Sequence, residues 1–390
     1  MNCKQIEKCI EEKNYKIINV IKSINYQFEE KGTEADFEEE MNEADIKQVF
    51  NELKNTIKNE NDLLLIIFQE FFFSYHKVIT DSNLDIISEE CTKITGEKNN
   101  VILFINLCHE ISKDKLPNNY ENNLKTYIDP ISDNDSKYIW KISSHSFDSL
   151  FNSDIDKFFS NETFVIMRKK LLYSYKKSSY YYELNKIGKY NYVMGFGQDE
   201  INIGLGKELL EIARLLSKKI SIEICFDIQK NIKTKKFENL LLRDDDEYTH
   251  SQIENLKKIR ENIEDYSEKK IIIIMSNSTN IYHQFDILPT NAIICKCDPI
   301  QELVFTLNDK NDLEEIKNTE NYNFHLGKKE SLKDPKKTLR NLKIYNILKD
   351  KNNSLEFQNA TKLVKGFNSV RTTIELKDHQ FFLLKYNCLK

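Results

Sequence analysis

Leu63-Leu64-Leu65-Ile66-Ile67-Phe68 is an unbroken apolar run, and its reading sets the fold class. A strand with one wet face alternates apolar and polar residues, whereas a continuous run marks a strand covered on both faces. Upstream, Tyr15-Lys16-Ile17-Ile18-Asn19-Val20-Ile21 reads as an opening strand. Between the two, Asp45 to Lys58 carries Ile46, Val49, Phe50, Leu53 and Ile57 at helical spacing. Downstream, Ser82 to Ile94 forms a second helix, and Asn100 to Leu107, with its core Val101-Ile102-Leu103-Phe104-Ile105, a third strand. The order βαβαβ predicts a layered α/β fold.

The middle of the chain is less regular. Leu116 to Ser136, rich in Asn, Asp, Lys and Pro, reads as an excursion loop. Thr163 to Met167 and Lys170 to Tyr182 read as antiparallel strands, followed by Tyr190 to Phe196. Lys207 to Lys219 is an amphipathic helix that leads into a strand at Ile220 to Phe226. Ile232 to Tyr248, with the acidic run Asp244-Asp245-Asp246-Glu247, reads as a solvated insertion, and Gln252 to Tyr266 as a helix. Ile271 to Ser276 and Ala292 to Cys297 are expected to be buried strands. Past Asp298 the pattern weakens into short elements and ends in an apolar strand at Phe381 to Leu384.

Composition limits the function classes. The 390 residues are 40% hydrophobic and 31% charged, which is the balance of a globular chain with a substantial core. A formal net charge of −5 gives no general attraction to nucleic acid or to an anionic membrane. With only 9 Gly and 5 Pro, the chain is poor in the tight turns of a β-sandwich. Met1 to Asn14 is polar and has no apolar core resembling a signal peptide. The eight cysteines (Cys3, Cys9, Cys91, Cys108, Cys225, Cys295, Cys297, Cys388) follow no disulfide framework, which suits free thiols in a cytoplasmic protein.

Three strand ends carry chemistry. Ser221-Ile222-Glu223-Ile224-Cys225-Phe226-Asp227 is a short apolar strand closing on a cysteine, a usual place for a nucleophile in an α/β enzyme. Ile67-Phe68-Gln69-Glu70-Phe71-Phe72-Phe73 sets a carboxylate inside an aromatic strand end, where a partnered, buried position is expected. Tyr173-Ser174-Tyr175-Lys176-Lys177-Ser178-Ser179-Tyr180 places lysines in a β-prone run. A free thiol with a pKa of about 8.5 is mostly protonated at neutral pH. A neighbouring carboxylate can take its proton, and a lysine can stabilise the developing oxyanion.

Those residues give the chain a resemblance to the nitrilase/amidase (carbon–nitrogen hydrolase) superfamily. Leu65-Ile66-Ile67-Phe68-Gln69-Glu70 resembles the family's apolar strand ending in Pro-Glu, with Gln69 where proline is usual. Tyr175-Lys176-Lys177-Ser178 is similar to its Tyr-Arg-Lys-Thr strand, and Ile222-Glu223-Ile224-Cys225-Phe226-Asp227 to its Ile-Cys-Tyr-Asp elbow. The resemblance implies a four-layer αββα sandwich spanning residues 15–300, with 301–390 a C-terminal extension packed on the same domain. It implies Glu70 as general base, Lys177 as oxyanion stabiliser and Cys225 as nucleophile, with the Phe226 N–H completing the oxyanion hole. Glu183 would be a second acidic residue that positions substrate or lysine. The implied substrate is a small non-peptide amide or nitrile, with neither metal nor organic cofactor, in a homodimer or higher homo-oligomer.

Bland and rival readings stand beside these. A strand cysteine is commonly a buried structural thiol, Glu183 equally a solvated strand end, and Lys176 the alternative to Lys177 because alternation turns the two to opposite faces. Asp199 and Glu200 are further candidate acids, and Ser276-Asn277-Ser278 is a lining segment or a plain turn. Ile203-Gly204-Leu205-Gly206 before the helix Lys207 to Lys219, with Asp227 downstream, has the spacing of a dinucleotide or S-adenosylmethionine site but lacks its third glycine. Cys295-x-Cys297 and Cys108-His109-Glu110 gather ligand types without a second pair at zinc-like spacing. A catalytically silent relative acting as a binding module is the remaining alternative.

Overall fold

The structure is a computed structural model that describes residues 1–22, 41–73, 79, 81–111, 125–132, 138–145, 155–184, 190–194, 198–224, 266–276, 288–298, 302–309, 313–326 and 380–388. The expected βαβαβ opening is present, as β1 (Tyr15–Lys22), α2 (Glu43–Ile57), β2 (Leu63–Phe68), α3 (Asp81–Glu97) and β3 (Val101–Ile111). The three strands pair in parallel, Ile17 beside Leu65 and Leu65 beside Ile102. All six residues of β2 are buried, as the continuous apolar run requires. Each such side chain contributes about 1.5–3 kcal/mol relative to an exposed one.

A helix that the polar reading of the N-terminus passed over precedes them, α1 (Cys3–Glu11). Asn2 and Gln5 form a capping box, and only Ile6 and Ile10 of the helix are fully buried. Two apolar residues four apart make one narrow stripe, too little for periodicity to stand out in nine residues.

The first sheet continues through antiparallel strands. β6 (Ile155–Met167) pairs with β3, β7 (Lys170–Leu184) with β6, and both β8 (Tyr190–Met194) and β9 (Gln198–Ile201) pair with β7. On the other side, β16 (Gln380–Asn387) lies antiparallel to β1 and is flanked by β15 (Asn318–His325). The apolar strand expected at Phe381 to Leu384 is therefore an inner strand of the main sheet. Residues 125–132 are not loop: β4 (Lys125–Ser132) pairs with β5 (Tyr138–His145) in a separate two-stranded sheet. The β-prone Thr126-Tyr127-Ile128 outweighs the Asp and Pro that suggested an irregular segment.

After β9 the helix α4 (Lys207–Lys219) passes the chain to a second sheet of five strands. It comprises β10 (Ile220–Ile224), β11 (Ile271–Met275), β12 (Ile293–Cys297), β13 (Leu303–Leu307) and β14 (Leu313–Glu315), in that order. The first three are parallel, with Ile224 beside Met275 and Met275 beside Cys297.

The two sheets share one core. Ile17, Leu65, Phe104 and Tyr173 of the first sheet belong to a single buried cluster with Ile222, Ile273 and Cys295 of the second. The other face of the first sheet (Ile18, Ile66, Leu103) packs on Val49, Phe50 and Leu53 of α2 and Ile87 and Ile94 of α3. The other face of the second sheet (Ile272, Ile274, Ile294, Phe305) is buried with Tyr266 and Leu288. Helix, sheet and sheet are thus described as successive layers. The helix expected at Gln252 to Tyr266 lies outside the described residues apart from Tyr266.

Candidate active site

Glu70 stands just beyond the end of β2 and is 1% exposed. A carboxylate so placed is costly unless hydrogen-bonded, and Asn161 of β6 supplies a bond, Nδ2 to Oε1 of Glu70 at 2.8 Å. Gln69 carries the chain out of the strand: its N–H donates to the Val20 carbonyl at 3.1 Å, and its Oε1 accepts from the Lys22 N–H at 2.7 Å. Its Nε2 is buried without a hydrogen-bond partner among the described residues. Phe71, the residue after Glu70, has φ of 57°. That conformation is unusual for a bulky side chain and costs on the order of 1–3 kcal/mol, strain that collects at functional sites.

What holds Phe71 there is Asn106 of β3, whose Oδ1 accepts from the Phe71 N–H at 3.2 Å. The Asn106 amide in turn donates to Oδ1 of Asn161 at 2.6 Å and to Oγ1 of Thr163 at 3.3 Å. The Thr163 hydroxyl donates across the inter-sheet core to the sulfur of Met275 at 3.3 Å. Phe72 and Phe73 are core rather than site; both pack against Phe68, at 5.2 and 5.4 Å between ring centroids.

The Met275 contact joins the carboxyl ends of the two sheets' parallel strands. Cys297, at the end of β12, confirms the alignment, with its sulfur 3.4 Å from the Ile67 carbonyl and 3.8 Å from that of Val20. β10 stops at Ile224, beside Met275. Cys225, Phe226 and Asp227 lie outside the described residues. Lys177 and Glu183 are described in backbone only. In β7, Lys176 faces Glu162 and Tyr180 faces Ser160. Residues 177–179 therefore bulge opposite Asn161, the residue that holds Glu70. Bulges of this kind re-aim strand positions and are frequent beside active sites. Glu183 pairs with Lys157 and Tyr190 further along the same strand.

The other candidates have these placements, with Asn277 and Ser278 outside the described residues. Asp199 accepts a hydrogen bond from Ser217 of α4, and Glu200 is exposed. Ser276 donates to Oδ2 of Asp298 at 2.5 Å, with Lys296 Nζ 3.6 Å from the same oxygen, and all three are buried. The glycine-rich segment does not build a dinucleotide unit. β9 before it runs antiparallel to β7 in the first sheet, whereas β10 after α4 belongs to the second. A βαβ cradle needs both strands parallel in one sheet. Among the described residues, no group of three or more His, Cys, Asp or Glu is placed to hold a metal ion.

The thiols separate clearly. Burial pushes Cys295 and Cys297 well above the ordinary thiol range, and Cys388 up to about 12. Cys91 is raised for the same reason. Cys3 and Cys9 are raised by partial burial and by neighbouring acids such as Glu211 and Glu12. Four of these thiols, Cys91, Cys295, Cys297 and Cys388, are buried, which disfavours the reactive thiolate. Side chains of Cys108 and Cys225 lie outside the described set.

The residues that sequence reasoning passed over are Asn106, Asn161 and Thr163. Their signal was available: Asn106 interrupts the apolar run Val101 to Leu107, and a polar residue in a doubly covered strand needs a partner.

No family model matches the chain, and no curated protein matches it in sequence. Among solved structures, it is similar to Nit3 of Saccharomyces cerevisiae, a member of branch 10 of the nitrilase superfamily. The match has a TM-score of 0.33 and 10% identity, covering 77% of this chain and 84% of that one. It is also similar to a glutamine-dependent NAD(+) synthetase from Cytophaga hutchinsonii, with a TM-score of 0.31 and 9% identity. That match covers 77% of this chain but 40% of the synthetase. Likenesses of this size carry no argument by themselves, so the site rests on the contacts and registers above.

Proposed function

We propose that this chain is a carbon–nitrogen hydrolase of nitrilase/amidase type, an αββα sandwich acting on a small non-peptide amide or nitrile. The observation that carries the reading is the buried Glu70 carboxylate, held by Asn161 behind the strained Phe71 at the carboxyl end of a central parallel strand. Two features support the rest of the trio. Cys225 follows Ile224, whose register partner Met275 touches the network around Glu70. Lys177 lies in the β7 bulge opposite Asn161.

In this reading Glu70 takes the proton of the Cys225 thiol, and the thiolate attacks the carbonyl or nitrile carbon. The Lys177 ammonium and the Phe226 N–H stabilise the charge that develops on oxygen or nitrogen. For an amide, Glu70 returns the proton to the departing amine as the carbon–nitrogen bond breaks, leaving a thioester. Glu70 then draws a proton from water, which attacks the thioester and frees the acid and the thiol. Glu183 would position substrate or lysine, and self-association would follow the family pattern.

The test is mass-spectrometric capture of an acyl adduct after incubation with a library of small amides. An acyl group on the Cys225 peptide, absent from Cys225→Ala, supports the proposal. Hydrolysis that persists in Cys225→Ala overturns it.

A further inference from the structure

The hydrogen-bond network around Glu70 has a direction that the residues themselves impose. Asparagine amides present either oxygen or nitrogen to a neighbour, and their orientation follows from the partners available. The Phe71 main-chain N–H can only donate, so the Asn106 atom facing it is the acceptor Oδ1. The other end of that amide is then the donor Nδ2, and it meets Oδ1 of Asn161 at 2.6 Å. Asn161 is left with its own Nδ2 turned to the Glu70 carboxylate, at 2.8 Å. A peptide N–H one residue beyond Glu70 thus dictates, through two buried side chains from β3 and β6, that Glu70 receives a donor.

We propose that Asn161 is a positioning residue for the Glu70 base, oriented by Asn106, and that the pair keeps the carboxylate charged and aimed when its surroundings are dry. The proposal rests on the reading of Glu70 as base. Hydrogen bonds donated to a carboxylate favour its charged form, whereas burial opposes it. The Thr163 hydroxyl adds a second restraint, receiving the Asn106 amide at 3.3 Å and fixing it against Met275 of the other sheet. Among the described residues, charged or titratable groups on the elements at this end include Lys22 on β1, Glu162 on β6, and Cys297 and Asp298 at the end of β12, and the backbone of β3 and β7 brings Cys108 and the stretch with Lys177 opposite Asn161. None is altered by changing the asparagines.

The test is the pH dependence of Cys225 alkylation by iodoacetamide, followed by mass spectrometry on the full-length chain. Wild type is expected to show an acidic limb where Glu70 takes up its proton, and Glu70→Gln to lose it. Asn161→Ala should move that limb upward by about one pH unit. Asn161→Asp, which keeps the shape but sets a second carboxyl beside Glu70, should move it further and guards against a folding failure of the alanine variant. Asn106→Leu should reproduce the direction of the Asn161→Ala shift without touching Glu70. Variants that lower thermal stability but leave the limb in place overturn the positioning role while the base reading stands. A limb that survives Glu70→Gln overturns the base reading, and the proposal with it.

Discussion

The Thr163 hydroxyl and the Met275 sulfur lie 3.3 Å apart across the inter-sheet core. This contact brings the end of β11, and with it Ile224 at the end of β10, to the side chains that hold Glu70. Removing Met275 therefore tests packing and site together. Met275→Ala empties a fully buried position and should cost about 2–5 kcal/mol. Met275→Leu keeps the volume and should cost under about 1.5 kcal/mol. Urea unfolding measures both. Iodoacetamide alkylation of Cys225 should slow in the alanine variant and stay near wild type in the leucine variant.

A second prediction concerns Glu302, buried between the sheets. Its Oε1 accepts from Asn19 Nδ2 of β1 at 2.7 Å, and Oε2 from the Tyr386 hydroxyl of β16. Burial, with Glu315 and Asp298 adding repulsion, pushes its carboxyl up to about 7 against the two hydrogen bonds. Cys295 closes the cluster, 3.2 Å from the Asn19 oxygen. Because the folded value is raised, the folded chain keeps a proton that the unfolded chain releases near pH 4.3. The contribution to stability is full below about pH 4.3 and lost as pH rises toward 7. Glu302→Gln should therefore be more stable than wild type at pH 8, by about 3 kcal/mol at most, with the difference shrinking toward pH 4.5. Urea unfolding across that range checks it; a constant difference at all pH values would contradict it.

The β6–β7 hairpin turns through Arg168 and Lys169, with φ of 49° and 63°. Two-residue hairpin loops with both residues in this region ordinarily carry Asn-Gly or Gly-Gly, because side chains resist it. The turn is docked on α3: the Lys169 N–H donates to Thr95 Oγ1 at 3.0 Å, and the Lys169 side chain crosses Gly96 so closely that a Cβ there would collide with it. Lys169→Gly should stabilise the protein by about 1 kcal/mol. Gly96→Ala should be near neutral or stabilising, because the Cβ meets only the far end of the flexible Lys169 side chain and Gly96 lies within α3. Denaturant unfolding of the two variants checks both.

Much of this architecture was legible where burial writes a plain pattern. Leu63 to Phe68 announced a doubly covered strand, and the spacing of Ile46, Val49, Phe50 and Leu53 a helix on its face. Elements held by pairing rather than by pattern were less visible. β4 has mixed composition, β16 joins the main sheet from the far end of the chain, and Arg168-Lys169 turns a hairpin without the usual glycine. The burial of Glu70 was legible because a carboxylate among phenylalanines needs a partner. That partner was not, because Asn161 and Asn106 acquire meaning only when β3 and β6 pair and β2 ends beside them.

The central claim is that Glu70 activates Cys225, and it is tested most directly by the alkylation rates of all eight cysteines with iodoacetamide at pH 7, in wild type and in Glu70→Gln. Cys91, Cys295, Cys297 and Cys388 supply the buried baseline in the same digest. The account predicts that Cys225 reacts at least about tenfold faster than any other thiol, as an activated thiolate does, and that Glu70→Gln removes most of that advantage. A Cys225 no faster than its neighbours, or equally fast without Glu70, would contradict it and leave the chain a catalytically silent binding module.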